Sequence, residues 1–126
     1  DLCLWDAEDI EDLPQNIYFM QDRGCEIGNV KFFGLGYNHQ ESLIPTDVDI
    51  LITHEPPMMI LDKSSGRHWG NLPLRNRVME VRPQYHLFGH AHESYGIVQS
   101  GTTIFSNGSV IDNQYQLCRA PRLIEL

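Results

Sequence analysis

Two short runs of strand-forming residues, VDILIT at 48–53 and YHLFG at 85–89, stand too far apart in the chain to meet through a hairpin, and this separation constrains the fold more than any other feature. The first run is rich in Val, Ile and Leu and is bounded by Asp47 before it and by His54, Pro56 and Pro57 after it. Such a run suits a strand covered on both faces, as in a parallel sheet. Between the two lies LPLRNRVMEV at 72–81, where Leu72, Val78, Met79 and Val81 recur with Arg and Glu between them, a pattern of about three helical turns that Pro83 ends. Strand, helix, strand with this spacing predicts one right-handed parallel βαβ unit.

The topology places chemistry as well as chain. His54 follows the first strand and His90 follows the second, so both lie at carboxyl ends of parallel strands, where open α/β sheets build their sites. In LFGHAHESYG, His90 and His92 are one residue apart behind Gly89, which is expected to supply a backbone conformation that bulkier residues resist. Neutral imidazole is the usual nitrogen ligand for divalent transition metals, and the βαβ geometry predicts that His54, His90 and His92 share one crevice as metal ligands. The other histidines lack this setting: His86 alternates with Tyr85 and Leu87 on the second strand, and His39 and His68 lie in loops. A structural role is expected for each, with His68 as the one that also has a chance to face a substrate.

The flanks complete the pattern. CEIGNVKFFGLG predicts a short strand pair, and YGIVQ and TTIFS, separated by Ser100 and Gly101, predict a hairpin over 95–106 with Gly at a positive φ. The polar stretch DNQYQ is read as a loop and RLIEL as a final edge strand. Residues 1–16 are acidic and poorly periodic and are read as a short helix or loop, the remnant of a longer connection. The whole of 1–126 has the size of one domain. Because the chain begins with Asp, a further piece upstream is expected.

Composition removes several functions. A net charge of −8, with nine basic residues, argues against nucleic acid as the main ligand, since affinity for phosphate backbones comes from clustered Lys and Arg. Three cysteines, odd in number and without a CxxC pair, indicate neither a disulfide framework nor a zinc finger and fit a reducing, cytoplasmic setting. No apolar run approaches the ~18 residues of a membrane helix, so no membrane partner is expected.

LITHEPP, the polar loop and helix, PQYHLFGHAHESYG and TTIFSNGS together resemble the carboxyl-terminal half of calcineurin-like metallophosphoesterases, in the branch of the metallophosphoesterase domain-containing proteins. The resemblance runs from about Val48 to Leu126. It implies an α/β fold, half of a β-sandwich flanked by helices, and a two-metal site for Mn, Zn, Fe or Ni in which His54 and His90 bind one ion and His92 the other. It also implies a phosphomonoester or phosphodiester substrate, a small molecule. Glu55 stands where that branch tends to carry Gly; it either contacts metal or water or points outward, the outward reading being preferred. A metallo-β-lactamase type of site fits less well, because its H-x-H is followed by x-D-H, whereas Glu93 and Ser94 follow here.

The other motifs of the family, D-x-H, G-D and G-N-H, do not occur in these 126 residues. Two divalent ions held by three neutral imidazoles would keep nearly all of their charge within about 4 Å of each other, a repulsion that a bridging carboxylate normally offsets. The chain alone is therefore expected to hold at most one ion weakly and to be inactive or nearly so; the alternative is a non-catalytic metal-binding or assembly module derived from the same fold. Half a sandwich would also leave strand edges and an apolar face open, which predicts a homodimer or an exchanged assembly.

Overall fold

The parallel pair that the sequence predicts lies at the centre of the sheet. In the computed structural model, which describes residues 13–37 and 40–126, Ile50–Thr53 (β3) and Tyr85–Phe88 (β6) pair in parallel, with Ile50 opposite Tyr85 and Ile52 opposite Leu87. Val30–Leu35 (β2) adds in parallel to β3, and Thr103–Asn107 (β8) adds in parallel to β6. Arg23–Ile27 (β1) and Gly96–Ser100 (β7) close the two edges as antiparallel hairpin partners, so the order is β1-β2-β3-β6-β8-β7. A separate ribbon of Lys63–Ser64 (β4) and Arg67–His68 (β5) interrupts the crossover between β3 and β6.

The crossover helix is Leu72–Val81 (α1), within the limits its periodicity predicts. Asn71 caps it, its Oδ1 accepting from Leu74 N at 2.8 Å, and Pro sits in the first turn, where the missing N–H costs nothing. Arg82 ends it in a left-handed conformation, φ 57°, its N–H donating to Val78 O. The buried stripe is narrower than expected. Leu74 and Val78 are the buried pair, at i and i+4, whereas Leu72 and Met79 are exposed. Leu74 and Val78 join Phe33, Leu51, Phe88, Phe105 and Ile44 in one core.

Strand alternation sorts the two faces of the sheet. Phe33, Leu51, His86 and Phe105 lie side by side across β2, β3, β6 and β8, on the face that belongs to this core. On the other face Phe32, Ile52, Leu87 and Ile104 are only half-buried. The described residues thus form one six-stranded mixed sheet with the two-stranded ribbon of β4 and β5 beside it. The hairpin of β7 and β8 turns through Gly101 at φ 60°, the first of two loop residues, which is the geometry of a type II′ turn. Residues 122–126 form no strand, although RLIEL alternates like one; Leu123 and Leu126 stay exposed. Of the expected acidic helix or loop at 1–16, residues 1–12 lie outside the described residues. No helix among the described residues is long and apolar enough to cross a membrane.

The crossover loop is held by a residue the sequence did not single out. Asp62 is 1% exposed, and its carboxylate accepts from Met59 N at 2.8 Å, Gly70 N at 3.1 Å and His68 Nδ1 at 2.6 Å. Removing it leaves two backbone N–H groups without partners in an interior, each costing about 1–3 kcal/mol. The Asp62→Ala protein should therefore lose about 2–6 kcal/mol of stability in urea unfolding, whereas an unchanged midpoint would show that water replaces the carboxylate.

His86 is fully buried, ringed by Phe88 and Phe105 at centroid distances of 4.9 and 5.7 Å, and desolvation lowers its pKa from 6.5 to about 3. Between those values the unfolded chain binds a proton that the folded chain does not, so stability falls as pH drops through that window and is unaffected by this group above it. Urea midpoints between pH 6 and 4 should show this slope, at most about 1.4 kcal/mol per pH unit, and His86→Phe should remove it.

Candidate metal centre

The carboxyl ends of β3 and β6 bring two of the three expected ligands together. His54 Nε2 and His90 Nδ1 are 3.1 Å apart, with ring centroids at 4.9 Å and planes at 60°. One nitrogen donates and the other accepts, so a single hydrogen occupies the space between two lone-pair positions. Tyr37 sets its ring edge against His54 at 5.8 Å. The backbone holds the same contact, because Gly89 N donates to His54 O at 3.2 Å.

The H-x-H segment has an unexpected conformation. Its positive φ, 65°, falls on His90 and not on Gly89, and a Cβ added at Gly89 would meet only Ser109 Oγ at an ordinary 3.5 Å. Gly89 is thus not needed for the backbone freedom expected of it; the strain sits on the histidine itself, of order 1 kcal/mol or more for a non-Gly residue. Neighbouring bonds impose it. Ala91, 1% exposed, has its carbonyl bound by Asn107 Nδ2 at 2.9 Å, and its N–H donates to Gly89 O at 2.8 Å. Asn107 is fully buried and also donates to Leu61 O, so it ties the H-x-H turn to the crossover loop.

His92 occupies the next turn, the single-turn 3-10 helix His92–Ser94. Its Nδ1 lies 2.9 Å from Asp112 O, and since a carbonyl only accepts, Nδ1 carries the hydrogen and Nε2 is the lone-pair nitrogen of the neutral ring. Ligating histidines are typically oriented this way, by donation from the other ring nitrogen to a carbonyl or carboxylate. Tyr115 packs edge-on against the ring at 5.5 Å. Asp112 is itself fixed, its Oδ1 accepting from Gln114 N and Gln116 N across the turn predicted as a polar loop. Arg119 Nη1 donates to the carbonyls of His92, Ser109 and Ile111 and ties the same turn to the chain end.

His90 and His92 line a cavity of about 370 Å³ together with Ser64, Ser65, Asn113 and Tyr115. His54 is not among its lining residues and meets the cavity through its contact with His90. Glu93, beside His92, holds two walls of the cavity: Oε2 accepts from Ser65 N at 2.8 Å and Oε1 accepts from Asn113 Nδ2. Ser94 Oγ donates to Lys63 O and fixes the ribbon of β4 and β5 against the same turn. His68 faces Asp62, as described, and His86 is in the core, as expected of it; His39 lies outside the described residues.

Two nitrogens that bind one zinc ion at about 2.0–2.1 Å in tetrahedral geometry stand about 3.3 Å apart, so the His54 and His90 nitrogens are already near the separation of two ligands of one ion. A site needs at least three protein ligands. Among the described residues no group of three or more His, Cys, Asp or Glu is placed to hold an ion. The donors thus fit the imidazole part of a metal site and do not complete it. Sequence reasoning missed Asp62, Asn107, Glu93 and Asp112. Asp62 carried a signal, an acid closing the apolar run MMIL, whereas nothing local marked the other three.

No family model matches the chain. A UPF0046 protein of Caenorhabditis elegans is 34% identical over 131 residues, covering 91% of this chain and 45% of its own length. Metallophosphoesterase domain-containing protein 1 of Homo sapiens is also 34% identical, over 139 residues, covering 94% of this chain and 43% of its own length. A solved crystal structure matches 71% of this chain and 44% of its own with a TM-score of 0.56 and 16% identity, a likeness of α/β fold alone. The chain spans less than half the length of these relatives, and over nearly all of its own length it belongs to the family of metallophosphoesterase domain-containing protein 1 and the UPF0046 proteins.

Proposed function

We propose that this chain supplies the imidazole side of a two-ion phosphoesterase site, with His54 and His90 toward one ion and His92 toward the other. The observation that carries this reading is the 3.1 Å approach of His54 Nε2 to His90 Nδ1 at the ends of adjacent parallel strands. Bound ions, Mn, Zn, Fe or Ni by donor type, would supply positive charge to phosphoryl oxygens and an activated water. The residues of this chain do the positioning: Asp112 O orients His92, Gly89 N holds His54 through its backbone, and Glu93 keeps Ser65 and Asn113 around the cavity where the ester would sit. The carboxylates that balance the ions' charge would come from the further length that the relatives carry, and without them the chain has little or no turnover. The free thiols of Cys25 and Cys118 favour a cytoplasmic setting.

The incomplete donor set favours a second reading, a non-catalytic metal-binding or assembly module. Metal content after Mn²⁺ or Zn²⁺ loading and desalting separates it from the first, together with hydrolysis of bis-p-nitrophenyl phosphate. The phosphoesterase reading expects weak uptake that His90→Ala abolishes, and turnover that rises when the rest of the relatives' length is added. Equal uptake in the wild type and His90→Ala would remove His90 from the site and with it the proposal.

The half-buried apolar face of Phe32, Ile52, Leu87 and Ile104 supports a homodimer or exchanged assembly of this chain. Light scattering should give a mass above that of one chain, and a clean monomer would refute the assembly.

A further inference from the structure

His86 has no part in the site as described, yet it ends a buried relay that leads to His54. It lies in the middle of β6 opposite Leu51, and its ring reaches diagonally to the end of β3, where Nε2 is 2.9 Å from Thr53 Oγ1. Both groups are buried. The Thr53 hydroxyl donates its only hydrogen to Glu55 O at 2.7 Å, so toward His86 it can only accept. His86 must therefore carry its hydrogen on Nε2. Nδ1 is then a bare lone pair, which accounts for its having no hydrogen-bond partner among the described residues although it is buried. The neutral ring follows from the same burial.

The end of the relay is a turn with His54 at its middle. The bond from Thr53 Oγ1 to Glu55 O closes the backbone over Thr53, His54 and Glu55, and this closure sets the direction in which His54 leaves the strand. A threonine hydroxyl has three staggered positions and two kinds of partner. Without a donor behind it, Oγ1 is free to leave the Glu55 carbonyl. We infer that His86 is a positioning residue for His54: by donating to Thr53 it fixes the hydroxyl that closes the turn, and the turn aims His54 Nε2 at His90 Nδ1.

The relay itself stands on the hydrogen bonds alone, but its use in metal uptake rests on the function proposed above. Its test therefore has two readouts on the full chain, long-range ¹H–¹⁵N spectra of the histidine rings without metal and Zn²⁺ affinity. Phe is close to His in size, and at 86 it would pack with Phe88 and Phe105, so His86→Phe is expected to keep or raise the thermal midpoint. In both His86→Phe and Thr53→Val the ring signals of His54 and His90 should lose the signature of a shared hydrogen. Zn²⁺ affinity should fall by about 10- to 100-fold, the usual effect of removing a residue that orients a ligand. Thr53→Ser, which keeps the hydroxyl, should restore both. Unchanged His54 and His90 spectra in a folded His86→Phe protein would overturn the inference. Altered spectra in the variants, with a wild type that takes up no Zn²⁺, would sustain the relay and reject the metal reading instead.

Discussion

The parallel register of β3 against β6 is the constraint on which the rest depends. With Ile50 opposite Tyr85 and Ile52 opposite Leu87, the two strands finish level, and the residues just beyond them, His54 and His90, meet at 3.1 Å. A slip of one residue in β3 would turn Leu51 out of the core and move His54 away from His90 in the same movement. Burial of Leu51, Phe105, Leu74 and Val78 therefore fixes the site geometry as firmly as it fixes the fold. Core and chemistry share one register because each strand carries a buried face along its length and a histidine after its end.

Much of this was legible from the sequence because the signals were strong and local. VDILIT and YHLFG are compact β-rich runs, α1 has Asn71 and Pro73 at its start and Pro83 after its end, and Ser100 and Gly101 mark a tight turn. The helix stripe was drawn too wide, since apolar residues at Leu72 and Met79 satisfy periodicity without being covered. RLIEL failed as a strand for a related reason: alternation describes a chain able to pair and does not by itself supply the partner. The backbone of the H-x-H turn could not be foreseen. Gly89 looked like the strained position, whereas the bonds of Ala91 to Asn107 and Gly89, made through tertiary packing, place the positive φ on His90.

The candidate site was legible as residue types and not as a network. The histidines announced themselves by their place after strands. Their supports are ordinary polar residues in loops, and what makes Asp62, Asn107, Glu93 and Asp112 matter is which carbonyl or amide each reaches. Such groups are satisfied by residues distant in sequence, so no local pattern reports them. Family membership adds context of the same coarse kind. It gives a family and an α/β fold, and the relatives it rests on are more than twice as long as the part this chain matches.

The long crossover between β3 and β6 also governs the order in which the molecule can assemble. The hairpins β1–β2 and β7–β8 close over two-residue loops, whereas the His54–His90 contact joins residues 36 apart and the Thr53–His86 bond residues 33 apart. Closing a loop of that length costs chain entropy before any contact repays it. The hairpins can form on their own, and the centre of the sheet must wait for the crossover loop and α1 to fold back. The imidazole pair therefore depends on this long-range closure, so that an intact site is itself a report that the crossover has folded back.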